Sequence, residues 1–236
     1  MEYNSMNQWE EIRASERESL STYTAKTFLW MFAGLLVTFA MTYASYATGL
    51  VLFIFSNSYG ILLLTGAELL VVIFMSARVH KISVGTARAM FLLYSALNGV
   101  AFSAYFLMIG SGMLMFVFGA TAVFFGLMAG VSYIAKVDLS GIRPLLIGGL
   151  IFLILFQFLA MFLNLTSMET VMCYVGILLF LGLTAYDVGM IRRNYQMFSG
   201  DEELLAKASI FSALELYLDF INIFLYLLRL FARNRD

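Results

Sequence analysis

Four carboxylates stand inside otherwise apolar stretches of the sequence: Glu68, Asp187, Glu215 and Asp219. An ionised carboxylate near the middle of a membrane helix costs about 2.5–3.5 kcal/mol on translocon scales, so such residues face a bundle interior or a wet cavity and mark ion paths, proton relays or catalytic sites. Asp187 lies within five residues of Arg192, which puts it roughly 6–8 Å inside the apolar layer. Ser199 and Glu202 have the spacing of a capping box that opens the last helix. From there to Phe231 that helix has about 32 residues and a length of about 48 Å, against a hydrocarbon layer of about 30 Å. Its first turns, to about Ile210, therefore stand in water, and Asp219 falls on the order of 10 Å inside the same boundary. Two carboxyls at one depth on adjacent antiparallel helices can meet. In a low dielectric both cannot stay ionised, and the pair titrates as a unit. One shared proton holds the helices together; two negative charges push them apart.

Other residues bear on the same chemistry. Glu215 and Asp219 are four apart and share a helix face, with Asn222 close to it. Glu215 either guides cations from a vestibule or snorkels to the interface. Glu68 lies ten residues, about 15 Å, from Arg78 along one helix, so it bonds across helices as a neutral acid or lines a path. Arg78 is either an anchor at the membrane boundary or a latch whose guanidinium fork reaches the Asp187–Asp219 pair. Calcium takes six to eight oxygen ligands. Asp187 and Asp219 with water would make only a weak, transient calcium site, which suits passage better than storage.

The elements that position these groups follow from composition. Apolar types make up 62% of the 236 residues and charged types 12%, and the mean hydropathy is +0.89. A soluble domain runs near 45–50% apolar and about 25% charged, so most of this chain is solvated by lipid. A soluble enzyme, a disulfide scaffold and a disordered regulator are excluded; Cys173 is the single cysteine. A net charge of −1 gives no electrostatic basis for binding nucleic acid. Continuous apolar runs argue against an outer-membrane barrel.

At roughly 20 apolar residues per span, seven segments emerge: about Lys26–Thr48, Phe55–Ser76, Thr86–Ile109, Met113–Ala135, Pro144–Leu165, Val171–Ile191 and Ser212–Phe231. Residues 1–25 read as a polar cytoplasmic tail and 26–236 as an all-α, seven-helix membrane domain. Small-residue runs such as Gly126–Gly130 suit close helix crossing. Arg13, Arg17 and Lys26 in the tail, Arg78, Lys81 and Arg88 in the second link, Lys136 and Arg143 in the fourth, and Arg192, Arg193 and Lys207 in the sixth all fall on one side. The positive-inside rule makes that side cytoplasmic. Arg229, Arg233 and Arg235 disagree. Either the seventh span crosses despite them, leaving the C-terminus outside, or it re-enters; crossing is the reading adopted.

The sequence resembles a known family at these residues. The sixth span reads LFLGLTAYDVGMIRR (Leu179–Arg193), the seventh SALELYLDFINIFLYLLRLF (Ser212–Phe231), the third MFLLYSALNGVAFS (Met90–Ser103), and the fourth link KVDLSGIRPLL. These are similar to the transmembrane Bax-inhibitor-motif family, especially its bacterial members, over about residues 20–232. The resemblance implies six helices around a central seventh and a pH-sensitive calcium leak. It places the two sensor aspartates on Asp187 and Asp219 and a latching arginine near Arg78. Glu215 is not part of the LYLD motif. The implied address is a bacterial inner membrane, and the implied partners are calcium or other cations and, through one bacterial relative, a membrane-bound protease.

Two other classes compete with a leak. Paired aspartates also serve intramembrane aspartyl proteases, but the Gly-x-Gly-Asp motif is missing, since Leu216–Asp219 reads LYLD. His80 is off the spans, which removes a Ser-His protease, and no span carries a lysine for retinal. No enzyme and no cofactor are expected. The remaining alternative is a non-transporting regulator that binds a membrane protease or another channel.

Overall fold

A computed structural model describes residues 19–78, 81–135, 139–163 and 168–233. The tail to residue 18, His80, Lys136 and Asp138 fall outside them. Among the described residues every regular element is helical. The α-helices are α1 (Leu20–Ala47), α2 (Leu50–Phe55), α3 (Ser58–Arg78), α4 (Val84–Ile109), α5 (Ser111–Ala135), α6 (Arg143–Leu163), α7 (Glu169–Phe198) and α8 (Glu202–Arg233). A 3₁₀ turn, Ser140–Ile142, leads into α6, and Pro144 sits in the first turn of α6, where its missing N–H has no intrahelical role.

Six of these helices (α1, α4, α5, α6, α7 and α8) are long and apolar enough to cross a membrane, and α3 adds a shorter apolar stretch, Tyr59–Met75. The protein is an integral membrane protein. Each expected span falls mainly on one helix, but the ends differ. The α1 helix starts six residues before Lys26, because its polar start is satisfied locally: the Ser19 hydroxyl accepts from Thr22 N at 3.2 Å, and Thr24 donates to Leu20 O at 2.8 Å. The first link holds a helix of its own, α2, entered through Gly49 at φ 74°, a backbone conformation that favours glycine. The expected capping box is displaced. Ser199 closes α7, and Asp201 caps α8 by accepting from Leu204 N at 3.0 Å; an acidic cap there also meets the positive end of the helix dipole.

The last helix packs against α1, α4, α5 and α7. Two thirds (67%) of its apolar window is buried, against 11–39% for the other five long helices. Its polar side chains stitch it in. Tyr217 OH meets the Thr38 hydroxyl of α1 at 2.7 Å, Thr27 of α1 meets Ser209 at 3.0 Å, and Asn194 of α7 donates to Ser212 at 3.0 Å. The rings of Phe91 and Tyr94 on α4 meet Tyr217 edge-on at 5.6 and 6.0 Å. Close crossing happens elsewhere than expected. Gly126 and Gly130 have no neighbour within 4 Å of a Cβ, whereas a Cβ on Gly99 of α4 would lie 2.5 Å from Thr38 O of α1. Thr42 uses that approach to donate to Gly99 O at 3.0 Å.

Candidate functional site: the acidic pair between the last two helices

The two aspartates meet. Asp187, in the second half of α7, and Asp219, midway along α8, are both buried, at 9% and 4% exposure, and their side chains are hydrogen-bonded to each other. A hydrogen bond between two carboxyls requires a proton on one of them. Thr184, nearly one turn before Asp187 on α7, also stands near Asp219, and its hydroxyl donates to Phe180 O at 2.8 Å. The second Asp219 oxygen, Oδ2, is buried without a hydrogen-bond partner among the described residues. The contact exists because α7 and α8 run antiparallel through a tight turn, with Asp201 N bonded to Phe198 O at 2.9 Å.

Glu215 joins the pair electrostatically. It stands one turn before Asp219, exposed on the flank of α8, and its charge acts on both aspartates. The cation acting on Glu215 is Arg143, at the head of α6. The sequence places Arg143 only among the cations that set the orientation; no motif links it to Glu215. Arg78, the expected latch, is exposed, and its guanidinium lies over the Phe74 ring of its own helix, 5.5 Å from the centroid. The structure does not bring it to the pair.

Glu68 is also separate from the pair. Its Oε1 is buried without a partner among the described residues, and its charge acts on Tyr94 and Tyr217. Asn222 donates to Leu218 O of its own helix at 2.8 Å. It lines a crevice of about 680 Å³ between α6, α7 and α8 that also holds Gln157 and Arg229. Among the described residues no three His, Cys, Asp or Glu side chains converge to hold a metal ion.

Residues 20–236 match the family described as "Inhibitor of apoptosis-promoting Bax1". The chain belongs to the Bax inhibitor family. It is 38% identical over 221 residues to the inner membrane protein YbhL of Escherichia coli, covering 93% of this chain and 94% of that one. A protein of Borreliella burgdorferi is 37% identical over 91% of this chain and 93% of its own length. A protein of Deinococcus radiodurans is 33% identical over 98% of this chain and 99% of its own. Within this Bax inhibitor family member, the arginine that broke the positive-inside pattern is accommodated. Arg229 donates to Gln157 Oε1 at 2.9 Å, and its guanidinium lies over the Tyr226 ring, 5.7 Å from the centroid.

Proposed function

We propose that the protein is a proton-gated cation leak of the bacterial inner membrane, with calcium as the permeant ion. In this reading seven spans surround and include a central α8, and the Lys- and Arg-rich end faces the cytoplasm. The observation that carries it is the hydrogen bond between the buried carboxyls of Asp187 and Asp219 on adjacent helices. While one proton bridges them, α7 and α8 are held together and the path is shut. Loss of that proton leaves two like charges in contact in a low dielectric, which is strongly unfavourable. Separation of the two helices relieves it and admits water and cations. Opened, the two carboxylates present oxygen ligands to a passing calcium ion, too few to retain it. Glu215 sits where a cation would next meet negative charge. The pair acts as a switch rather than as a catalyst, since nothing in LYLD reproduces the protease motif.

Reconstitution tests this. Calcium flux into dye-loaded liposomes should be low at about pH 6 and several-fold higher at about pH 8. Equal, non-zero flux at both would end the gating claim. No flux at either would favour the other reading, a regulator of a membrane protease or channel in which the acidic pair fastens two helices.

A further inference from the structure

The crevice between α6, α7 and α8 is one half of an hourglass. On α8 it runs from Asn222 to Arg229 and holds about 680 Å³. A second space of about 650 Å³ continues it toward the end of the chain, from Tyr226 to Ala232. Gln157, Ala160, Glu169, Tyr226 and Arg229 wall both, so the waist lies at these residues. Arg229 is exposed yet fixed there by two contacts. It donates to Gln157 Oε1 of α6 at 2.9 Å, and it lies over the Tyr226 ring, 5.7 Å from the centroid. Tyr226 is itself seated on α7, since a Cβ on Gly176 would lie 2.5 Å from its ring. Deeper in the bundle α6 is held close to α7: a Cβ on Gly149 would lie 2.8 Å from the Leu179 side chain, and one on Gly182 3.1 Å from Leu146. Toward the end where α7 begins, the two spaces open and the bond to Arg229 bridges the gap. Arg229 is ten residues, about 15 Å, along α8 from Asp219. With the acidic pair on the order of 10 Å inside one boundary of a layer about 30 Å thick, the waist falls near the other boundary.

We propose that Arg229 is the outer restriction of the leak, a fixed positive charge at the waist that cations must pass after leaving the acidic pair. This deepens the leak reading and rests on it. A guanidinium in a narrow opening between apolar walls raises an electrostatic barrier to cations, and a steeper one to a divalent ion. Arginine stays charged at every working pH, so this barrier does not titrate with the pair. Glu169, in the first turn of α7, supplies the opposite charge in the same walls, which makes the barrier partial: passage is slowed rather than abolished. Gln157 is the positioning residue, because its bond holds the charge across the opening from α8 to α6. The acidic pair decides when the path opens, and Arg229 sets how much passes.

Liposome flux and thiol labelling test this together. Arg229→Gln should raise calcium flux at about pH 8 at least about fivefold, with the pH midpoint unchanged because the pair is about 15 Å away. Arg229→Lys keeps the charge and should stay within about twofold of wild type. Gln157→Leu leaves the charge unpinned and should fall between them. The second readout needs no flux. With Cys173→Ser and Leu225→Cys the sole thiol stands in the inner space, so a membrane-impermeant thiosulfonate applied to spheroplasts reaches it through the waist. The ratio of cationic to anionic reagent rates should rise several-fold with Arg229→Gln and not with Arg229→Lys; simple loosening would speed both reagents alike. The proposal is overturned if Arg229→Gln changes neither flux nor ratio, if the ratio shifts without a rise in flux, if Arg229→Lys is as leaky as Arg229→Gln, or if position 225 is labelled in no variant. Should Arg229→Gln not fold, Gln157→Leu decides by the same two measurements. Absent wild-type flux at both pH values would end the leak reading itself, whereas wild-type flux with unaffected variants would end this inference alone.

Discussion

Tyr217 and Asp219 lie two residues apart on α8 yet bind different helices: the Tyr217 hydroxyl meets Thr38 of α1 at 2.7 Å, and the Asp219 carboxyl meets Asp187 of α7. One helix thus carries a neutral fastening on one face and a protonatable one on another. The two should respond differently to mutation.

Tyr217→Phe removes one partner of a buried hydroxyl pair, but Thr38 still lies 2.9 Å from Ser95 O. The expected loss is about 0.6–1.5 kcal/mol, seen as a lower Tm in detergent. The pH response of calcium flux should be unchanged. A flux profile altered as much as by an aspartate variant would show that the two fastenings are not separate.

Asp219→Asn keeps a group that can bond Asp187 without a titrating proton. Flux should stay low at both about pH 6 and about pH 8, and the ratio between them should fall toward one. Asp187→Asn should do the same. The sign follows from charge: in either variant only one carboxylate of the pair remains, so raising the pH creates no like-charge contact within it. Liposome flux across a pH series measures it, and a wild-type rise in either variant would contradict the assignment.

Glu215→Gln removes a negative charge that acts on both aspartates. A like charge disfavours ionisation of its neighbours, so its removal should let the pair open at lower pH. The flux midpoint should fall by on the order of one pH unit. An unchanged or raised midpoint in Glu215→Gln would refute this electrostatic link.

Arg78→Gln should leave the flux midpoint where it is, since the guanidinium rests on Phe74. A midpoint shift comparable to that of Glu215→Gln would mean that Arg78 reaches the pair in a state other than this one.

Gly99→Ala places a Cβ 2.5 Å from a backbone oxygen of α1, an approach that neither helix can absorb without moving apart. A cost of about 1–3 kcal/mol is expected. Gly126→Ala meets nothing within 4 Å and should be neutral or slightly stabilising, because alanine is the better helix former. Paired melting curves compare the two, and the reverse order would place the close crossing on α5 after all.

Much of this architecture was legible because apolar length dominates membrane folding. Every segment read as a span overlaps a helix, and the depth argument that brought Asp187 and Asp219 level used helix rise, a boundary arginine, the expected start of the last helix and the thickness of the hydrocarbon layer. What stayed hidden depends on local partners. Thr24 looks too polar for a span start until its own helix's carbonyl accepts its proton. Ser199 and Asp201 are both good caps, and the choice between them turned on where α7 stopped. Gly126 and Gly130 of the GLMAG run meet no neighbour within 4 Å, whereas Gly99 carried no pattern to single it out. Arg78 and Arg143 are alike as boundary cations. Only the placement of the side chains set Arg143 to act on Glu215 and left Arg78 to Phe74.

The burial of α8 has a consequence for how the molecule is made. In chain order α8 follows every other described helix, yet it supplies packing surface to α1, α4, α5 and α7. The earlier helices leave the ribosome and enter the bilayer with those surfaces facing lipid or the insertion machinery. Their mutual arrangement is completed only when the final segment slots between them. Nascent chains stalled before residue 202 should therefore be ready substrates for membrane proteolysis, however well their individual helices insert.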